Sequence, residues 1–228
     1  MLSFKHFFVL MAVILAVSVN AQGREMTVEE SYLQESIEIM IIRETARGNT
    51  REQKMISLEY IGEAIERGNN SDEIRQALEY LAWEGRRSVA RENGRVVNNF
   101  PDVRRQAAKY LGQMGTEEAR KSLIGVLRGE NEPMVLQEAI KSLGDIGTND
   151  NNESVHTIVY IMNRQNNLNP DNLMALAAID AFEKIARNTG TLGPDAVQVL
   201  MSIAGGHYIT PVKERARQSL ADLRTYGR

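Results

Sequence analysis

One helix pattern recurs four times along the 228-residue chain, and no other feature of the sequence restricts the fold as strongly. Apolar residues at positions i, i+4, i+8 and i+11 lie on one face of an α-helix. The four copies are Val103, Ala107, Leu111 and Met114; Val135, Ala139, Leu143 and Ile146; Met174, Ala178, Phe182 and Ile185; and Val212, Ala216, Leu220 and Leu223. Because all four columns move together from one copy to the next, the pattern predicts an internal helical repeat.

A second helix follows the repeated helix in each of the first three copies. The pattern predicts these second helices over 116–129, 153–164 and 194–206. Gly112 and Gly144 directly follow the central leucine and allow close helix approach. One such helix pair cannot bury its apolar faces alone, whereas stacked pairs form a continuous core. The sequence therefore predicts an all-α fold, an α-solenoid of about four helix pairs with terminal capping helices.

The N-terminal part carries weaker signs of the same architecture. Thr27 with Glu30, and Thr50 with Gln53, have the spacing of capping boxes that start helices. We expect a leader over 1–21, an N-terminal capping helix over 22–49, a divergent first repeat over 50–84, an insert over 85–100, and repeats with a C-terminal capping helix over 101–228.

The segment from Asp102 to Gly115 reads Asp-Val-Arg-x-x-Ala-Ala-x-x-Leu-Gly-x-x-Gly and resembles a HEAT repeat. It is similar to the short bacterial HEAT-like type first associated with phycobilisome lyases. The resemblance is strong over 101–147 and weaker over 170–225. It implies an α-solenoid whose second helices line a concave surface that holds another macromolecule. Function does not follow from this fold alone.

Enzymatic relatives of this repeat class would need residues or surroundings that the chain lacks. HEAT-repeat metal hydroxylases carry His-Glu pairs as di-iron ligands, whereas His156 is followed by Thr157 and His207 by Tyr208. HEAT-like DNA glycosylases use a basic face and act in the cytoplasm, and bilin lyases need a pigment and a cytoplasmic client. The leader pattern over 1–21 argues against both classes, and the negative net charge argues against the glycosylases. We therefore expect no metal, no cofactor and no catalytic residues.

The start of the chain, over 1–21, has the pattern of a cleaved secretory signal. Lys5 precedes the apolar run Phe7–Val17, and Val19 and Ala21 are the small residues that a signal peptidase reads. The apolar run is short for a membrane span, so an uncleaved anchor is the less favoured alternative. We expect cleavage near Ala21 and a soluble protein in a bacterial periplasm, or secreted, without stable membrane insertion.

Composition narrows the classes of function further. The chain has no cysteine, which excludes disulfides, zinc thiolates and a cysteine nucleophile. The formal net charge is −3 and becomes −4 without the leader, which contains one lysine and no acid. Nucleic-acid binding needs a basic surface, so we expect no nucleic-acid partner. Acidic residues outnumber basic ones two to one over 22–84 but not beyond, an asymmetry that leaves self-association open.

The insert between the third helix and Pro101 is the most distinctive candidate site. It reads EGRRSVARENGRVVNNF over 84–100, longer than the other connections, and long loops in compact domains are often functional. Arginine and aromatic residues are favoured at interface hot spots. The candidate partner-binding residues are Tyr80, Trp83, Arg86, Arg87, Arg91 and Arg95. Asn93-Gly94 has the composition of a hairpin turn.

Two interpretations of the insert, and two of the function, remain open from the sequence. The insert is either a binding loop for an acidic partner or a solvated connector whose Val89, Val96, Val97 and Phe100 pack on the core. The favoured function is a non-enzymatic scaffold or adaptor for another protein, either an acidic protein or part of an envelope assembly. The alternative is a periplasmic enzyme or small-ligand-binding protein with a site on the concave face.

Overall fold

A computed structural model of the protein describes residues 27–166 and 170–226, which contain ten α-helices and one short hairpin. The helices are α1 (Val28–Arg47), α2 (Arg51–Glu66), α3 (Asp72–Ala82), α4 (Pro101–Met114), α5 (Glu117–Gly129), α6 (Pro133–Ile146), α7 (Glu153–Asn166), α8 (Asn172–Thr189), α9 (Pro194–Gly205) and α10 (Thr210–Tyr226). The strands are β1 (Arg91–Glu92) and β2 (Arg95–Val96). The predicted leader lies outside the described residues, among which no helix is long and apolar enough to cross a membrane.

The first two helices begin where the capping signals occur in the sequence. The backbone N–H of Glu30 donates to Thr27 Oγ1 at 3.2 Å, and that of Thr27 donates to Glu30 Oε2 at 3.0 Å. Thr50 and Gln53 form the same reciprocal capping box at the start of α2. The chain divides into two compact units, one ending at Glu38 and the other running from Ile39 to Arg228, so the division falls inside α1.

From α2 onwards the helices pack in two layers. The repeated helices α2, α4, α6, α8 and α10 contact one another in chain order and form the first layer. The second helices α3, α5, α7 and α9 contact one another in the same order and form the second layer. Each repeat therefore packs on its neighbours in the chain, which is the contact pattern of a solenoid.

The glycines predicted to allow close helix approach lie where first-layer helices meet. A Cβ added at Gly112 would lie 2.6 Å from Ser142 Cβ on α6. A Cβ added at Gly144 would lie 2.5 Å from Ala181 Cα on α8. Both distances are shorter than any ordinary contact, so glycine at these two positions sets the spacing between repeats.

The apolar columns form the core, with one difference at the C-terminal end. The column residues of α4, α6 and α8 are all buried. On α10, Val212 and Ala216 are buried, whereas Leu220 and Leu223 are only partly buried and pack against the core. Among the described residues α10 packs chiefly against α8 and α9, so the end of its apolar face is covered on one side.

Ion pairs link successive helices of the first layer. Arg51 on α2 pairs with Asp102 on α4 at 2.5 Å, and Lys184 on α8 pairs with Asp145 on α6 at 2.5 Å. Arg215 on α10 contacts two acids of α8 in the same way. The Arg51 and Lys184 pairs join exposed side chains and are weak in water, whereas Glu183, one partner of Arg215, is buried. Together these pairs fix the register between repeats.

Candidate functional site: the insert and its aromatic base

The insert contains a short β-hairpin that turns at the Asn-Gly dipeptide. Strands β1 and β2 are antiparallel, with Arg91 opposite Val96 and Glu92 opposite Arg95. Asn93 and Gly94 both have positive φ, 49° and 81°, as a type I′ turn requires. Asparagine and glycine tolerate this conformation best, which explains why the chain turns at this dipeptide.

A buried network holds the base of the insert. Lys54 Nζ lies 2.7 Å from Glu84 Oε2, and the two side chains are only 2% and 7% exposed. Asn98 donates to Glu84 Oε1 at 3.0 Å and to the carbonyl oxygen of Ser88 at 2.7 Å. The backbone N–H of Ala90 donates to Asn98 Oδ1 at 2.8 Å. Asn98 therefore links both ends of the insert to the Glu84 carboxylate, which is held in place by Lys54 on α2.

A second buried cation joins the insert to α4 and α5. Arg104 is fully buried; its Nε donates to Glu130 at 2.7 Å, and one terminal nitrogen donates to the Glu84 carbonyl oxygen at 3.1 Å and to Asn99 Oδ1 at 2.9 Å. Burial alone would raise the pKa of Glu130. The hydrogen bonds from Arg104 and from two backbone N–H groups outweigh that effect and lower the pKa below its usual range.

Three of the predicted partner-binding residues form a compact cluster at the base of the insert. The Arg87 guanidinium lies over the indole of Trp83, 4.5 Å from its centre. Tyr80 is 49% exposed, and its ring lies 5.4 Å from Lys54 Nζ. Arg86 differs, because its guanidinium donates to the Gly129 carbonyl oxygen at 2.7 Å and so braces the insert against α5.

The other two predicted residues lie on the hairpin itself. Arg91 is exposed and donates to the Gly94 carbonyl oxygen at 3.1 Å, across the turn. Arg95 is also exposed, and no hydrogen bond or ion pair of its side chain occurs in the described part of the chain. The hairpin therefore displays two guanidinium groups beside the cluster of Tyr80, Trp83 and Arg87.

Two cavities meet at Trp83 and Arg87. The larger has a volume of about 560 Å³ and is lined by residues of the insert together with Asn49, Thr50 and Tyr80. The smaller, of about 340 Å³, lies between α3 and α5. A Cβ added at Gly129 would lie 2.4 Å from Trp83 Cη2, so the indole packs directly on the backbone of α5.

The connector interpretation placed the three valines of the insert on the core, and for these valines it is wrong. Val89, Val96 and Val97 are 48%, 40% and 39% exposed, whereas Phe100 is partly buried and packs against the core. The valines instead add apolar surface beside the arginines.

Sequence reasoning missed the buried cations that anchor the insert. Lys54 and Arg104 fall on the same position of the repeat when Ile61 is aligned with Leu111. Both pair with an acid near the end of a second helix. The sequence feature that could have revealed these anchors is a basic residue that recurs at the same buried position of the repeat.

No cluster of three or more histidine and acidic side chains suited to a metal ion occurs in residues 27–166 and 170–226. His156 is exposed on α7, and His207 is exposed after α9. The two histidines lie on different helix pairs, and the structure does not bring them into one site with the insert.

The fold is an all-α solenoid of stacked helix pairs. Residues 95–167 match the family model of HEAT repeats, which confirms the expected repeat type over that segment. The chain is also similar to the structure of the complex of CpcE and CpcF of phycocyanin lyase from Nostoc sp. PCC7120, with a TM-score of 0.57 and 17% sequence identity over 90% of this chain and 69% of that one. At this identity the likeness concerns the fold alone.

A second solved structure, a de novo designed 16-helix transmembrane nanopore, matches with a TM-score of 0.28 and 15% identity, over 86% of this chain and 62% of that chain. A TM-score this low supports no conclusion about the protein. No curated protein matches the chain by sequence.

Proposed function

We propose that this protein is an exported adaptor that binds another protein and catalyses no reaction. The observation that carries the proposal is the cluster of Tyr80, Trp83 and Arg87 beside the exposed arginines of the hairpin. Tryptophan, tyrosine and arginine dominate the binding energy of protein interfaces. A half-exposed cluster of all three therefore has the composition of an interface hot spot.

Preorganisation of the insert supports the same proposal. The Lys54–Glu84 pair and Asn98 hold the base, and the Asn93-Gly94 turn fixes the tip. A loop already held in one conformation loses little entropy when it binds, so more of the contact energy appears as affinity. Rigid display of side chains is the property that a binding loop requires.

The charge of the surface supports an acidic partner. Arg87, Arg91 and Arg95 are exposed, and Glu92 is the only acid of the hairpin. Arginine pairs with carboxylates through two parallel hydrogen bonds, which gives both attraction and orientation. The similar lyase structure is a complex of two proteins, CpcE and CpcF, which supports assembly with another polypeptide as a use of this fold.

Export to a bacterial periplasm is part of the proposal and rests on the leader pattern over 1–21. Fractionation of cells that produce the tagged protein, followed by mass determination of its N-terminus, tests it. Recovery from the periplasm with Gln22 as the first residue is the expected result. Recovery of the uncleaved chain in the cytoplasm would contradict export.

The adaptor role is tested by site-specific photo-cross-linking in the native cells. A cross-linking amino acid at Arg95 should capture one dominant envelope protein, whereas the same amino acid at exposed Lys109 on α4 should not. Reversal of Arg87 and Arg91 to glutamate in the chain that carries the cross-linker should abolish that capture, while Arg86, which braces α5, is left intact. Unchanged capture by the reversed variant would contradict the site, and equal labelling from both positions would contradict the adaptor role.

One observation favours a second candidate function, the binding of a small ligand. The cavity of about 560 Å³ beside Trp83 falls within the size range of ligand pockets and combines aromatic walls with polar groups of Asn49, Thr50 and Asn98. Trp83 is the only tryptophan of the chain, so its fluorescence reports directly on this cavity. A saturable change of this fluorescence on addition of a periplasmic metabolite would indicate binding. Calorimetry should then detect no binding of that metabolite by the Trp83→Phe, Tyr80→Ala variant, and the two results together would establish this function instead.

A further inference from the structure

A third cavity lies between α5 and α7, away from the insert. It has a volume of about 430 Å³ and is lined by Arg128, His156, Thr157 and Tyr160. Four other cavities, including the two at Trp83, each have at least one aspartate or glutamate in their walls. This cavity has none and contains a permanent cation, so its walls favour a negatively charged occupant.

Thr157 provides the most specific sign of a ligand. Its side chain is 3% exposed, and its hydroxyl has no hydrogen-bond partner within residues 27–166 and 170–226. A threonine inside a helix commonly bonds to the carbonyl oxygen one turn earlier, but this one does not. A buried hydroxyl without a partner is unfavourable. Because Thr157 lines the cavity and a helical threonine has two accessible rotamers, a change of rotamer would let its hydroxyl donate to an acceptor there.

The other walls are able to donate hydrogen bonds to the same occupant. Arg128 is exposed and forms no ion pair or hydrogen bond with the described part of the chain. Tyr160 is 55% exposed, and the Arg164 guanidinium lies 5.8 Å from the centre of its ring. Arginine is only a donor, whereas hydroxyl and imidazole groups can also donate, so a group that only accepts fits all of them.

We propose that this cavity binds a carboxylate, with Arg128 and Thr157 as its donors and Tyr160 as its wall. The occupant we assign is an acidic side chain of an extended polypeptide. One face of α5 carries Lys121, Gly125 and Arg128 at positions i, i+4 and i+7. Lys121 and Gly125 line the smaller of the two cavities at Trp83, and Arg128 lines the third cavity. One chain running across α5 would therefore reach both cavities. The carboxylate site itself involves only α5 and α7 and does not depend on the insert.

The test is a titration of the ¹⁵N-labelled protein with N-acetylated, C-amidated hexaglutamate, followed by amide chemical shifts. Hexaglutamine at matched ionic strength controls for peptide contact without charge. The expected result is a saturable shift of the α5 and α7 amides near Thr157, whether or not amides of the insert also shift. Thr157→Val keeps the shape of the side chain and removes the hydroxyl, and it should weaken binding about tenfold, since one hydrogen bond to a charged group is lost.

Matched variants separate the site from general charge attraction. Arg128→Gln should weaken hexaglutamate binding about tenfold, whereas Lys109→Gln, which removes the same charge from exposed α4, should leave it within about twofold. Thr157→Ser, which keeps the hydroxyl, should bind within about threefold of the unaltered protein. If Thr157→Val does not fold, Arg128→Gln and Thr157→Ser still decide the matter.

The outcomes assign the site and its source. Saturable binding of hexaglutamate that depends on Thr157 and Arg128 supports the proposal with a polypeptide source. Binding of free glutarate with equal affinity and the same dependence supports the carboxylate and identifies a small acid as its source. Absence of saturable shifts on α5 and α7, or equal binding by Thr157→Val, overturns the proposal without affecting the adaptor role of the insert.

Discussion

The buried pair of Lys54 and Glu84 offers the most direct test of how the insert is held in place. Glu84→Gln keeps the size of the side chain and the oxygen that accepts from Asn98, but it removes the charge 2.7 Å from Lys54 Nζ. Lys54 would then be a buried cation whose remaining polar partner is the carbonyl oxygen of Ala46, 3.0 Å away.

The expected loss of unfolding free energy is about 3–5 kcal/mol, because removal of one partner leaves an uncompensated buried charge. The double variant Lys54→Met, Glu84→Gln should lose clearly less, since no charge is left unpaired. Asp145→Asn is the control: it breaks the Lys184 pair of 2.5 Å, but those side chains are 41% and 43% exposed. That change should cost no more than about 1 kcal/mol.

Urea unfolding followed by circular dichroism measures these differences, and amide hydrogen exchange locates them. Glu84→Gln should raise the exchange rates of the insert around Ala90 and Asn98 before those of α6 and α8, because local opening reports local stability. If Glu84→Gln lies within about 1 kcal/mol of the unaltered protein, the pair is not the anchor that its burial indicates. If the double variant loses as much as Glu84→Gln alone, the uncompensated charge is not the reason.

Three further outcomes follow from the packing and the charges. Gly144→Ala should destabilise the protein by about 1–3 kcal/mol in thermal unfolding, because the new Cβ would lie 2.5 Å from Ala181 Cα. Gly125→Ala is the control and should stabilise the protein by about 0.5–1 kcal/mol, since its Cβ would meet only Trp83, at 3.9 Å. Equal effects of the two changes would contradict the close approach of the helices at Gly144. The pKa of Glu130 is lowered from 4.5 in the folded protein. The ionised carboxylate therefore contributes fully to stability above pH 4.5, and this contribution is lost as the pH falls through the lower pKa of the folded state. The free energy of unfolding of Glu130→Gln, measured against pH, should fall less over this acidic range than that of the unaltered protein. Thr157→Val should not lower the urea midpoint of the free protein, since the hydroxyl that it removes has no partner in the described residues, and a loss above about 1 kcal/mol would reveal one.

Local periodicity allowed the sequence to predict most elements, whereas features that depend on tertiary contacts were missed. The apolar columns, the capping residues and Gly112 could be identified because helix geometry fixes which residues share a face. The hairpin turn could be identified because few dipeptides tolerate two positive φ values.

The anchors of the insert could not be predicted in the same way. Lys54 and Arg104 are cations at inward positions, and their acids, Glu84 and Glu130, each lie at least one whole helix further along the chain. Only the packing of the layers brings those charges together. The sequence also could not distinguish Arg86, which braces α5, from its neighbour, which lies on the indole. The orphan hydroxyl of Thr157 is likewise visible only in three dimensions.

The two ends of the insert meet, and this has a consequence for how the protein can change. Gly85 lies so close to the other end that a Cβ there would be 2.2 Å from the carbonyl oxygen of Asn98. The segment between them is therefore a loop whose two ends lie together, so its length can change without changing the distance that its ends must span. Loop-closure entropy rises only slowly with length, so the same junction would accept segments of very different size. Evolution or protein design could therefore exchange this segment and keep the repeat array unchanged.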